Sequence, residues 1–186
     1  MTTRTTIRRT LTAAALAGAA GVAGVVAGGT ADAATPGDGS SVLPCTSNQF
    51  TARLVYGGAG AGNRYAAIQL TGKVGERCAL PGRLPVTLVG ARDVLIDNEA
   101  PDDAPGVALS NGSSAYVQLH WTGIEAPDEQ ETPNGISVTA PAASNPHGDP
   151  IDPSVTLPWT LGPVDAVPAT HTIDVGPLTR GTAPTE

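Results

Sequence analysis

The sequence predicts an all-β fold, and three observations carry that prediction. Short runs alternate apolar with polar residues, the period of two that sends successive side chains to opposite faces of a strand. Turn-forming residues interrupt these runs at intervals of roughly 8–15 residues. The 186 residues include 23 Gly and 17 Pro, which suits many tight connections and leaves little room for long helices. Together they point to an immunoglobulin-like antiparallel β-sandwich of about eight or nine short strands, each sheet wet on one face.

The runs follow in order. Phe50–Tyr56 is the first strand, and Gly57–Asn63 reads as a loop of nearly bare backbone. Tyr65–Leu70 is the second, with Ala66, Ile68 and Leu70 on one side and Tyr65, Ala67 and Gln69 on the other. Pro85–Val89 and Val94–Ile96 follow, then an acidic turn. Gly106–Leu109 leads into Asn111-Gly112, a dipeptide that signals a hairpin. Ser114–Trp121 is the cleanest alternation, with Ala115, Val117, Leu119 and Trp121 on its apolar side and His120 opposite. Ile136–Thr139, Val155–Trp159 and His171–Val175 complete the set. With one Phe, two Trp and three Tyr, the core must come mostly from Val, Leu, Ile and Ala. Arg outnumbers Lys nine to one among abundant Ala, Gly, Val, Thr and Pro, the bias of a GC-rich bacterial genome.

Residues 1–33 have the layout of an export signal. Arg4, Arg8 and Arg9 precede an uncharged stretch, and Ala31-Asp32-Ala33 forms a small-x-small cleavage site before Ala34. The stretch holds only Leu11, Leu16, Val22, Val25 and Val26 as strongly apolar residues, too few for a well-retained membrane helix. Arg8-Arg9 fits twin-arginine export while Thr10-Leu11-Thr12 fits it poorly, so that route and the general secretory one both stay open. No Cys marks a lipid anchor at the cleavage site. Residues 34–44 read as a flexible lead-in, 45–176 as one domain and 177–186 as a flexible tail. Cleavage leaves seven basic against sixteen acidic side chains, a net charge of −9. Such a surface repels phosphate backbones and anionic lipid, which argues against nucleic-acid and membrane-surface partners.

Cys45 and Cys78 are the only cysteines. In an oxidising compartment two cysteines allow one internal disulfide, worth about 3–4 kcal/mol for a loop of this length. No His lies near either in sequence, and two thiolates alone do not make a zinc site.

Several segments, taken in order, resemble a bacterial secreted family catalogued as domain of unknown function 4232. They are Cys45 before the first strand, Gly60–Tyr65 opening the second, Cys78–Val86, and Leu109–Tyr116 entering the long strand. The resemblance covers roughly residues 45–140. The chain departs from it in having Thr71–Gly75 where an Asn-rich turn is usual and no cysteine at 122–135. The resemblance implies secretion and a sandwich, and it implies no known activity.

Signals for chemistry are sparse. His120, His147 and His171 stand far apart, with no spacing that faces two of them at one metal. There is no Gly-x-Ser-x-Gly elbow, and serines such as Ser113-Ser114 fall in turns. Gly57–Gly62 lacks the Lys and the strand-to-helix context of a phosphate loop. Among Asp93, Asp97, Glu99, Asp102 and Asp103, the weak calcium candidates are Asp97, Asp102 and Asp103; a plain solvated turn accounts for the run better. Glu125, Asp128, Glu129 and Glu131 read as an exposed connection. Trp121 reads as core, and Trp159 as core or as a surface ring that stacks on sugar. The expectation is a secreted, monomeric, non-catalytic module without a cofactor, binding an unidentified extracellular or envelope ligand. The alternative is a secreted hydrolase or hydrolase inhibitor, favoured by a cavity that brings Asp or Glu within reach of a His.

Overall fold

The computed structural model describes residues 41–181. Residues 1–33, expected to be an export signal, with the expected Ala33–Ala34 junction, the expected lead-in before Ser41 and residues 182–186 lie outside the described residues. Twelve strands run through the described part: β1 Phe50–Gly60, β2 Asn63–Gly72, β3 Arg77–Leu80, β4 Val86–Val89, β5 Leu95–Asn98, β6 Val107–Ser110, β7 Ser114–Thr122, β8 Gln130–Glu131, β9 Gly135–Thr139, β10 Ser154–Pro158, β11 Val164–Asp165 and β12 Thr172–Arg180. The fold is all-β, with two short 3-10 turns, Ser47–Gln49 and Pro127–Glu129, as its helical elements among the described residues.

Five strands form the main sheet in the order β1-β2-β7-β12-β5, and a second sheet runs β10-β9-β4. The pairs β11-β8 and β3-β6 stand as two-stranded ladders. The strands β2 and β7 reach the centre of the main sheet because each carries one unbroken apolar side. Ala66, Ile68 and Leu70 on β2 and Ala115, Val117, Leu119 and Trp121 on β7 are all buried. They join Ile136 and Val138 of β9, Val86 of β4, Leu109 of β6, and Ile173 and Val175 of β12 in one core. Each large apolar side chain hidden this way contributes about 1.5–3 kcal/mol. Trp121 and Trp159 meet edge to face with centroids 5.3 Å apart.

The lead-in is anchored at its end. The Ala79 amide donates to the Leu43 carbonyl, the Cys45 amide donates to Ala79, and Cys45 is bonded to Cys78 with Cα atoms 4.7 Å apart. Leu43 and Pro44 therefore lie fixed against β3, where a free segment was expected. At the other end, residues 177–180, expected in a flexible tail, are strand: β12 continues to Arg180, opposite Ala115, and buries Leu178.

Four further expectations are corrected. The main sheet is not wholly antiparallel, since β5 and β12 run parallel from Thr172–Leu95 to Val175–Asn98. Most of the Gly57–Asn63 loop is strand. The strand β1 continues through Gly60, with a bulge between Tyr56 and Gly58 where Gly58 takes φ +104°, a conformation that side-chain-bearing residues avoid. The two-residue hairpin lies at Ala61-Gly62, both at positive φ. Asn111 and Gly112 also adopt the left-handed conformation (φ 43° and 82°), and the Ser113 amide closes the turn on the Ser110 carbonyl. That turn makes a corner instead of a hairpin, because β6 pairs with β3 while β7 pairs with β2. The short strands β3, β8 and β11 lie where no strand was expected.

Candidate functional site

Strand register assembles a row of chemistry-bearing residues on the side of the main sheet turned away from the core. Gly58 of β1 stands opposite Tyr65 of β2, Tyr65 opposite His120 of β7, His120 opposite Asp174 of β12, and Asp174 opposite Asp97 of β5. The row faces solvent because its strand neighbours Ala66, Leu119, Trp121, Ile173 and Val175 take the core side. The expected outward placement of His120 is therefore met, and the side chain is about one third exposed.

His120 is held from both ends. Its Nδ1 lies 3.0 Å from Asp174 Oδ2 and its Nε2 lies 2.9 Å from Asn63 Oδ1. The Asn63 amide group is oriented in turn toward the Gly60 and Ala61 carbonyls, each 3.5 Å away. Tyr65 stacks on the imidazole with centroids 5.0 Å apart and planes at 28°. An open cleft of about 310 Å³ lies beside this group, lined by Tyr65, His120, Asp174, Glu99, Gln118 and the bare backbone of Gly57 and Gly176. Three spacings of more than fifty residues meet here, so no local motif announces the site.

The other candidates are placed differently. Asp97, Asp102 and Asp103 do not converge: Asp97 belongs to the row above, and Asp102 reaches the Arg83 guanidinium at 3.5 Å from an almost fully exposed position. Among the described residues no group of three or more His, Cys, Asp or Glu side chains is arranged to hold a metal. Trp159 is buried and its Nε1–H donates to the Gly162 carbonyl at 2.7 Å, so the sugar-stacking reading of that ring fails. His171 Nδ1 sits 3.1 Å from the Val167 carbonyl, and His147 lies exposed in a loop ordered by Asn145. The 125–131 connection is tied down rather than free. The Glu131 carboxylate accepts from the Arg92 and Asp93 amides at 3.0 Å.

One acid outside the acidic runs of the sequence has a structural role. Asp165 on β11 is wholly buried, and its carboxylate accepts from the Ile124 and Glu125 amides and from Gln130 Nε2, each at 3.0 Å. Burial by itself pushes this carboxyl's pKa up. The hydrogen bonds from Gln130 and from the Glu125 and Ile124 amides outweigh it and hold the pKa below the ordinary carboxylate value.

The fold and site define a small disulfide-closed β domain with an open cleft on the outer face of its main sheet. The chain belongs to the family described as Domain of unknown function (DUF4232), whose model matches residues 45–179. No curated protein and no solved structure matches the chain.

Proposed function

We propose that this protein is a secreted, non-catalytic recognition module, an immunoglobulin-like β-sandwich that binds an extracellular or envelope ligand at the Tyr65–His120–Asp174 cleft. One observation carries the reading: the imidazole is clamped between Asp174 and Asn63 and stacked under Tyr65, beside an open cleft. A core contact would need none of this, because the residues face solvent. Rigid polar groups around a concave surface are what recognition uses. The shared core of the main sheet and the β10-β9-β4 sheet supports the sandwich, and the disulfide suits an oxidising compartment outside the cell. The acidic balance disfavours nucleic acid as the ligand.

The hydrolase reading has one observation in its favour, the Asp174–His120 contact within a cleft that also holds Glu99. A serine-type mechanism needs the distal imidazole nitrogen to take a proton from a nucleophile. Here that nitrogen meets an amide oxygen, with no Ser, Thr or Cys side chain bonded to the ring among the described residues.

The test is retention of the exported protein on envelope material from its own producing cells, compared with Tyr65→Ala and His120→Ala variants of matched melting temperature. Retention of the parent and its loss in both variants is expected. Equal retention of all three overturns the reading. So does turnover of ester, peptide or glycoside substrates that disappears in His120→Ala.

A further inference from the structure

The lining of the cleft is lopsided in charge. It presents two carboxylates, Glu99 and Asp174, and neither Lys nor Arg. Among the described residues Arg83 pairs with Asp102 and the His120 imidazole faces Asp174, so no cation stands against Glu99. Asp174 commits Oδ2 to His120, and among the described residues no hydrogen bond engages Oδ1. Asp97 extends the acidic row on the next strand. The cation on the outer face of β1, Arg53, is turned to Gln69, to which its Nε–H donates at 2.7 Å. Against these acids stands the Tyr65 ring, 45% exposed and fixed in orientation by the stacked imidazole. An aromatic face beside carboxylates that no Lys or Arg faces is an arrangement that draws in an organic cation: the ring quadrupole attracts it, and carboxylate oxygens accept its N–H groups. The walls formed by Gly57 and Gly176 carry no side chain to fill the space where an alkyl stem would lie.

Resting on the recognition reading above, we propose that the cleft receives an ammonium or guanidinium group, placed over Tyr65 with Glu99 as its principal counter-charge and the open oxygen of Asp174 as a second acceptor. The chemistry is shared by a basic side chain of a polypeptide and by a free polyamine, and the experiment separates them. A neutral polyol could use the same acceptors but would not offset the negative charge gathered there.

The experiment follows the amide signals of Gly57 and Gly176 and the ring signals of His120 by NMR in the isotope-labelled exported protein. The probes are Nα-acetyl-lysine methylamide, its uncharged norleucine counterpart, spermidine and calcium chloride, at equal ionic strength. The lysine probe is expected to move these signals and the norleucine probe to leave them still. Affinity should fall several-fold on raising salt through the physiological range, and about fivefold in Glu99→Gln, as one partly screened charge pair is lost. A stronger response to the lysine probe than to spermidine assigns the cation to a polypeptide, and the reverse assigns it to a free amine. Equal shifts with the norleucine probe or with calcium, or none with any cation, overturn the proposal. If the cations fail while envelope retention still depends on Tyr65 and His120, the module binds a neutral ligand and only the charge assignment falls. If retention is indifferent to those residues, the recognition reading falls with it.

Discussion

Asp165 and Asp174 lie nine residues apart on consecutive strands, and the protein uses them in opposite ways. Asp165 is buried and well subscribed, accepting from two backbone amides and from the side chain of Gln130. Asp174 keeps about a third of its side chain in water and gives one oxygen to one imidazole. The difference separates an acid that holds a fold together from one that is available to something else. A buried carboxylate without a cation persists only when hydrogen bonds replace its lost hydration. Those same bonds leave it nothing to offer a ligand. The cleft is the reverse case, rigid in its geometry and unfinished in its hydrogen bonding.

The sharpest way to break the comparison is to remove the sealed acid. Asp165→Ala removes the acceptor that the Ile124 and Glu125 amides and Gln130 share, and a buried donor left without a partner costs about 1–3 kcal/mol. A loss of about 3 kcal/mol is expected in urea denaturation, with the midpoint falling and the slope unchanged. A change below 1 kcal/mol would mean that the 122–131 corner draws its stability from elsewhere.

Acid probes the same group more gently. The unfolded chain takes up a proton on this carboxyl near its ordinary pKa of about 3.9, and the folded protein does so only at lower pH. Asp165 therefore contributes its full share above that ordinary value and loses it as pH falls through the depressed one. The stability gap between parent and Asp165→Asn should be constant near neutrality and narrow below about pH 4. A gap independent of pH would contradict the lowered pKa.

The cleft side has a backbone fixed point of its own. Gly58 lies opposite Tyr65 at φ +104°, and Gly58→Ala should cost about 1 kcal/mol by straining the bulge. The same change should shift the Tyr65 ring resonances in NMR while leaving those of Trp121, across the sheet, in place. Unmoved Tyr65 signals would show that the bulge does not shape the cleft wall.

How much of this was legible depends on what each residue had to match. The apolar side of Ser114–Trp121 could be read in advance because one face of β7 is buried along its length, so burial alone dictates the alternation. The run Gly57–Gly60 could not, since glycine carries no side chain to alternate and its strand character comes entirely from pairing with β2. Two-residue strands such as Val164–Asp165 are too short to show any period. The solvent-facing side of His120 followed from its position in β7. Its partners Asn63 and Asp174 lie 57 and 54 residues away and meet it only through sheet order. Asp165 stands apart from the acidic runs, and its one mark in the sequence is the apolar pair that flanks it, Val164 and Ala166.

The smallest effect on stability should come from Asp174→Asn, and that smallness is its value. Asparagine keeps an oxygen where Asp174 Oδ2 accepts from the imidazole, so His120 retains its orientation while the charge goes. A partly exposed polar contact of this kind contributes about 0.5 kcal/mol, and the melting curve should barely move. Retention on envelope material should nevertheless drop, because the lost charge faces the cleft rather than the fold. The pair of results, large destabilisation with intact recognition at Asp165 and the converse at Asp174, is what distinguishes a saturated acid from an available one. Destabilisation at Asp174 comparable to that at Asp165 would make the row across the main sheet a structural brace, and the cleft beside it only a gap in the surface.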